Sequence, residues 1–239
     1  MKPYLSLIIP AYNEETRISD SLNSIIEFLN GKSYSYEIIV VNDGSADNTS
    51  NVVNSFKGKV LLAEQPLNIG KGAAVRRGIF ESTGDILAFT DADLSTPINQ
   101  LDKLVKTLQN GTDVFVGSRA LDFSTIKKHQ PLYRELMGRT FNHIVQLIAL
   151  KGIKDTQCGF KGFTRRAADI IFPHTKIDGF GFDVEILYLA RKAGLNIEEV
   201  SVEWYNDPRT TVDPVKDSIR MITDLFRIKK IHKHTKISV

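Results

Sequence analysis

The stretch Ile86-Leu87-Ala88-Phe89-Thr90-Asp91-Ala92-Asp93 decides the fold and points at the chemistry. Four apolar residues without polar alternation read as a strand buried on both faces. Two carboxylates, two residues apart, leave its carboxyl end. Hard divalent cations such as Mg2+ or Mn2+ take one or two protein carboxylates and complete their shell with water and phosphate oxygens. Asp-x-Asp alone also occurs in solvated turns, so the flanking chain has to supply the context.

Towards the amino terminus, Leu5 to Ile9 is an apolar run closed by Pro10. A helix from about Thr16 follows, with Ile18, Leu22, Ile25, Ile26 and Leu29 on one stripe. The alternation continues: strand Ile38–Val41, helix Thr49–Phe56, strand Val60–Ala63, helix Lys71–Ser82, strand Ile86–Phe89, helix Asn99–Gln109, strand Val114–Val116. Unalternated strands separated by helices predict an α/β fold, with a mainly parallel, Rossmann-like sheet and helices on both faces. Ligands bind such sheets at the carboxyl ends of the strands. Tyr12, Asn13 and Glu14, then Asn42, Asp43, Gly44 and Ser45, then Asp91 and Asp93, and finally Ser118 and Arg119 all follow strands on that edge. After Arg119 the alternation stops. A long helix over about Tyr133–Leu150 leads into Asp155–Phe163, and this carboxyl-terminal half reads as an acceptor-side portion that closes the site.

The 239 residues are 42% hydrophobic and 25% charged, with a net charge of +3, which fits one large globular domain and excludes a dense nucleic-acid-binding surface. The single cysteine, Cys158, cannot form an internal disulfide and fits a reducing compartment. Met1 to Ile9 lacks a signal-peptide pattern, and no run approaches the roughly 20 apolar residues of a spanning helix. A cytoplasmic location is expected. Val215, Ile219, Ile222 and Phe226 recur at helical spacing, followed by Arg227, Lys229, Lys230, Lys233 and Lys236. That basic amphipathic end suits either an anionic membrane surface or packing on its own domain.

Asn68-Ile69-Gly70-Lys71-Gly72 resembles a phosphate-binding turn, but two familiar motifs fail. Gln65 stands where a Walker loop needs glycine, and Val75 where the dinucleotide fingerprint needs a small residue. What remains is a helix start whose amides and Lys71 could hold an anion, or a plain helix-initiating turn. Asp43, an acceptor only when ionised, could take a ring N–H of uracil or guanine or cap an Asx-turn. Glu14 could accept from a ribose hydroxyl or a base, or simply favour a helix start.

In order and spacing, Ile8-Ile9-Pro10-Ala11-Tyr12-Asn13-Glu14-Glu15, Val41-Asn42-Asp43-Gly44-Ser45, Asn68–Gly72 and Asp91-Ala92-Asp93 resemble family 2 glycosyltransferases with a GT-A fold. Asp91–Pro97, Gly117-Ser118-Arg119, Asp155–Lys161 and Phe182–Glu185 resemble the branch of dolichyl-phosphate glucosyltransferases and mannose synthases. The resemblance covers roughly residues 4 to 228, and implies a catalytic domain at 1–228 with a basic tail at 229–239.

By the same resemblance, Pro10, Ala11, Tyr12, Glu14, Asp43 and Lys71 line the donor nucleotide with Asp91, Ala92 and Asp93. Asp91 and Asp93 hold Mg2+ or Mn2+, with Ser95 nearby, and Arg119, Arg134 and Arg209 meet phosphate. Asp91, Asp93, Arg119 and Asp183 form the implied catalytic set. Two positions depart from the relatives: Ser95 stands where mannose synthases carry a metal-binding Gln, and Thr211 where many carry Lys.

The implied reaction is inverting, metal-dependent transfer of glucose or mannose from a UDP-glucose or GDP-mannose type donor to a polyprenyl phosphate, dolichyl or undecaprenyl, at the cytoplasmic face of a membrane. A phosphate acceptor is already ionised near neutral pH. The alternative, a hydroxyl of a glycan or lipid, requires a base, for which Asp183 and Asp155 are the candidates. A nucleotidyltransferase is disfavoured, because Pro10-Ala11-Tyr12-Asn13 replaces its glycine-rich basic loop.

Overall fold

The order of strands in the central sheet is β3-β2-β1-β4-β7-β5-β8. It is built from β1 (Leu5–Ala11), β2 (Tyr36–Asp43), β3 (Leu61–Gln65), β4 (Ile86–Phe89), β5 (Val114–Ser118), β7 (Lys161–Thr164) and β8 (Ile197–Ser201). A computed structural model supplies this architecture and describes residues 2–122, 125–128, 132–207, 209, 214–235 and 237; at 132–135, 139 and 214–217 it describes the backbone alone. Helices α1 (Ile18–Asn30), α2 (Thr49–Asn54), α3 (Lys71–Glu81) and α4 (Leu101–Gln109) alternate with the first five strands. The later helices are α5 (Leu132–Ile148), α6 (Arg165–Ile171), α7 (Phe182–Lys192) and α8 (Pro214–Ile231). β6 (Ile126–Lys128) and β9 (Trp204–Tyr205) pair as a separate parallel ribbon.

Both faces of the sheet are buried, as the unalternated strands require. Ile8, Ile39, Val41, Leu87 and Phe89 point to one side, where they join Ala74, Val75 and Ile79 of α3 with Val184, Ile186 and Leu187 of α7. Their neighbours Leu7, Ile9, Ile38, Val40 and Ala88 point to the other, against Ile18, Leu22 and Ile25 of α1 and Leu101, Leu104 and Val105 of α4. Period-two alternation is present, with apolar residues in both phases.

The carboxyl-terminal half is more than a cover. β7 inserts between β4 and β5 and runs antiparallel to both, Leu87 facing Phe163 and Val116 facing Lys161. The other pairings within this sheet are parallel. The segment entering β7 is thus brought beside the carboxyl end of β4, where Asp91 and Asp93 emerge.

α8 corrects the sequence reading of its apolar face. Leu225 and Ile228 are fully buried, with Met221 and Ile222 packed against the same core. Ile219 and Phe226, assigned to one stripe with Ile222, are 61% and 60% exposed; the side chain of Val215 lies outside the described residues. The helix carries two apolar stripes, and periodicity cannot say which one meets the core. Beyond residue 228 the chain stays helical to Ile231, and His232 is buried with its Nε2 2.7 Å from Glu185 Oε1. Leu225→Ala should therefore cost about 2–5 kcal/mol through the cavity it leaves, while Phe226→Ala should stay within about 0.5 kcal/mol. Denaturant unfolding of both variants checks the assignment, and the reverse order would refute it.

Candidate active site

A cleft of about 480 Å3 opens at the carboxyl ends of β1, β2 and β4. The nucleotide candidates Pro10, Ala11, Tyr12, Glu14, Asp43 and Lys71 all line it, together with Asp91, Ala92 and Asp93. Two tight turns aim these groups. Asn13 has φ 55 and Leu94 φ 48, left-handed conformations rare outside glycine and costly for a bulky leucine. Asn13 holds its turn by accepting from Ala46 N at 2.9 Å, and Asp93 Oδ1 accepts from Ser95 N at 2.9 Å.

The two carboxylates suit a hard cation. Burial, and then the charge of Asp91, push the Asp93 carboxyl above its usual range. Two adjoining carboxylates in a half-buried cleft repel each other, and a divalent cation relieves that repulsion. Opposite them, Lys71 Nζ lies 2.5 Å from Asp91 Oδ1. Burial lowers the Lys71 pKa, but Asp91 and Asp183 outweigh it and keep the ammonium charged.

Lys71 opens α3, and the structure answers whether the amides there form an anion nest. Asp43 Oδ1 accepts from Ile69 N and from Gln65 Nε2, and Oδ2 from Gly70 N, each at 2.9 Å. Gly72 N and Ala73 N both donate to the carbonyl of Asp178, at 2.7 and 3.2 Å. These four amides are spent on the protein itself, so the anion-binding capacity of this turn rests on Lys71. Asp43 shapes the loop with three of its roughly four acceptor sites. Glycine is needed twice here: Gly70 has φ 127, and a Cβ on Gly72 would sit 2.5 Å from the Ile177 carbonyl oxygen. The 176–178 segment is fixed in turn by buried Glu185, which accepts from Lys176 N and Ile177 N.

Glu14 is likewise engaged. Its two oxygens receive Nε and Nη2 of Arg17, and Arg17 Nη1 lies 3.3 Å from Asp207 Oδ2. Burial raises the Glu14 pKa despite this partner. Arg17 lines the cleft and was missed from sequence, although its i,i+3 spacing from Glu14 at a helix start is a usable signal. Gly179, Phe180, Arg220, Met221 and Asp224 also line it, and no local pattern announces them, since α7's approach and α8 bring them in.

Among the described residues, the candidates Arg119, Asp183 and Arg209 do not line the cleft. Arg119 forms a two-pronged pair with Asp155, Nε to Oδ2 at 2.7 Å and Nη2 to Oδ1 at 2.9 Å, and lies over Trp204. Asp183 is buried against Lys161, Nζ to Oδ1 at 2.5 Å, and the same ammonium donates to the Cys158 carbonyl at 2.6 Å. Arg209 is exposed and paired with Asp207, Nη2 to Oδ2 at 2.6 Å. The side chain of Arg134 lies outside the described residues, as does Thr211. Cys158 is buried, which pushes its thiol up to about 11 and leaves it inert at neutral pH.

A largely parallel sheet with one antiparallel insertion, presenting a carboxylate pair beside a nucleotide-sized cleft, defines a GT-A glycosyltransferase. The model of glycosyl transferase family 2 matches residues 6–172, and the chain belongs to that family. The dolichyl-phosphate beta-glucosyltransferase of Dictyostelium discoideum is 41% identical over 242 residues, 95% of this chain and 74% of the relative. The Homo sapiens protein of the same name is 35% identical over 94% of this chain and 74% of its own length. Glucosyl-3-phosphoglycerate synthase from Mycobacterium tuberculosis, solved with uridine diphosphate, superposes with a TM-score of 0.71 at 22% identity, covering 95% of this chain and 80% of that one; it shares the fold.

Burial raises the Asp155 carboxyl, but the charge and hydrogen bonds of Arg119 outweigh it and hold it below the usual range. A folded pKa below the unfolded value of about 3.9 gives stability that is complete above that pH and lost as pH falls through the folded value. Asp155→Ala should cost about 3–5 kcal/mol at pH 7 by leaving Arg119 unpaired, and should flatten the acid limb of the stability profile. Urea titrations from pH 7 to pH 3 measure both.

Proposed function

We propose that this protein transfers glucose from UDP-glucose to a polyprenyl phosphate of the dolichyl type, with inversion at the anomeric carbon. The observation that carries the reading is the state of the two carboxylates that the sequence offers as a base. Asp155 is locked to Arg119, and Asp183 is buried against Lys161. A sugar hydroxyl acceptor needs a carboxylate to take its proton. A phosphate monoester, whose second ionisation lies near pKa ~6, brings its own nucleophilic oxygen. The names of the relatives support the same acceptor and sugar, and a beta product is the inverted outcome from an α-linked donor.

In this reading, residues 1–228 act as the catalytic unit, and Asp91 and Asp93 hold Mg2+ or Mn2+, which offsets the negative charge of the departing diphosphate. Pro10, Ala11, Tyr12 and Glu14 position the nucleoside, Asp43 shapes the loop under it, and Lys71 meets the diphosphate. Arg134 and Arg209 are assigned to the phosphate side, where guanidinium forks match phosphate oxygens in pairs; Arg119, expected there as well, has its fork taken by Asp155. Rate then comes from alignment of acceptor oxygen behind the anomeric carbon and from charge neutralisation.

With Mn2+, UDP-glucose and a dolichyl phosphate, transfer should be readily detected and should vanish on chelation. Asp91→Asn should lower kcat/KM by at least about a hundredfold, as expected for loss of a group that stabilises developing charge. Transfer to glycan hydroxyls in preference to lipid phosphate would favour the alternative acceptor class instead.

The acceptor lies in a bilayer, and the outer face of α8 fits contact with one. No helix among the described residues is long and apolar enough to span a membrane. Ile219 and Phe226 are exposed one heptad apart, with Arg227, Lys229 and Lys230 exposed beside them. Apolar anchors flanked by basic residues bind anionic interfaces. Flotation with vesicles containing phosphatidylserine should retain the wild type and lose an Ile219→Ser, Phe226→Ser variant, while that variant keeps its melting temperature.

A further inference from the structure

We propose that Lys71 is a resident counter-ion of Asp91 that passes to the donor diphosphate, so that divalent cation and nucleotide enter this cleft cooperatively. The inference rests on the reading of Asp91 and Asp93 as cation ligands. It concerns the lysine, which that reading sets against the diphosphate without saying how its pairing with Asp91 bears on the cation.

The geometry gives Lys71 one short-range partner and a fixed base. Its Nζ is 2.5 Å from Asp91 Oδ1, with only 18% of the lysine side chain exposed. The charges of Asp183 and Asp93 also reach Lys71, and Asp183 is already bound by Lys161. The backbone on either side of Lys71 is pinned, at Ile69 and Gly70 by Asp43 and at Gly72 by the Asp178 carbonyl. Motion is thereby left to the flexible four-carbon stem. A cation arriving alone at Asp91 has to displace the ammonium and leave two positive charges side by side. A diphosphate changes this balance, because its oxygens accept the displaced ammonium while they also complete the metal shell. The amides of Ile69, Gly70, Gly72 and Ala73 cannot substitute for Lys71 in meeting the diphosphate, since they are spent.

Linkage makes the coupling reciprocal: whatever factor the nucleotide adds to cation affinity, the cation adds to nucleotide affinity. Isothermal titration calorimetry of the full chain measures it, with Mn2+ alone, UDP alone, and each in the presence of the other. The amplitude of the free Mn2+ resonance gives an independent binding readout.

Wild type should bind Mn2+ weakly alone and roughly 5–150-fold more tightly with UDP present, the usual range of coupling between sites. Lys71→Met should bind Mn2+ alone more tightly than wild type, and its coupling factor should fall about fivefold or more. Lys71→Arg should restore the wild-type pattern; Lys71→Gln serves in the same titrations if the methionine variant fails to fold. Mn2+ affinity in the absence of UDP that is unchanged or weaker on removal of the charge would overturn the proposal while leaving the cation site standing. A wild type that takes up no Mn2+ even with UDP would overturn the cation site itself, and the proposal with it.

Discussion

A fully buried ammonium, that of Lys161, ties the two halves of this molecule together. It sits at the start of β7, donates to the Cys158 carbonyl in the turn that leads into the strand, and pairs with Asp183 at the start of α7. An uncompensated buried charge costs several kcal/mol, so strand, preceding turn and helix hold their relative positions as a unit. That turn matters to the site. A Cβ on Gly159 would come within 2.6 Å of Asp91 Oδ1 and nearer still to Oδ2, so the Asp91 carboxylate rests directly against this backbone. The candidate site at the carboxyl end of β4 is thus shaped by a segment about seventy residues beyond Asp91 in sequence.

The same dependence explains what sequence could and could not disclose. The apolar runs of β1, β2 and β4 are legible because both phases of the pleat are buried. β7 is hidden in Lys-Gly-Phe-Thr, since a buried lysine reads as a surface residue and glycine as a turn. β8 is hidden by Glu198 and Glu199, which belong to the sheet's edge and carry polar contacts to Thr112 and to the amides of Lys154 and Asp155. In the site, the identities of Asp43, Glu14 and Asp91 followed from their place behind strands. The engagements of Asp43 and Asp91 did not, because the partners Gly70 and Lys71 come from another element whose approach is set by tertiary packing, whereas Glu14 meets Arg17 locally. Arg119 shows the difference most plainly. As a residue type it fits a phosphate; in place it is already matched by Asp155.

Charge in this cleft is arranged in pairs rather than as a positive basin. Glu14 with Arg17 and Asp91 with Lys71 pair within it, and Asp155 with Arg119 and Asp183 with Lys161 continue the pattern outside its lining. Such pairing keeps a half-buried site stable before any ligand arrives.

α8 adds a mechanical aspect. Arg220, Met221 and Asp224 on this helix line the cleft, Leu225 and Ile228 lock it to the core, and its end is tied down where Lys192 donates to the His232 carbonyl. Ile219 and Phe226 of the same rod face outward. The cleft wall and the outward face are therefore two sides of one anchored helix, with no intervening loop between them.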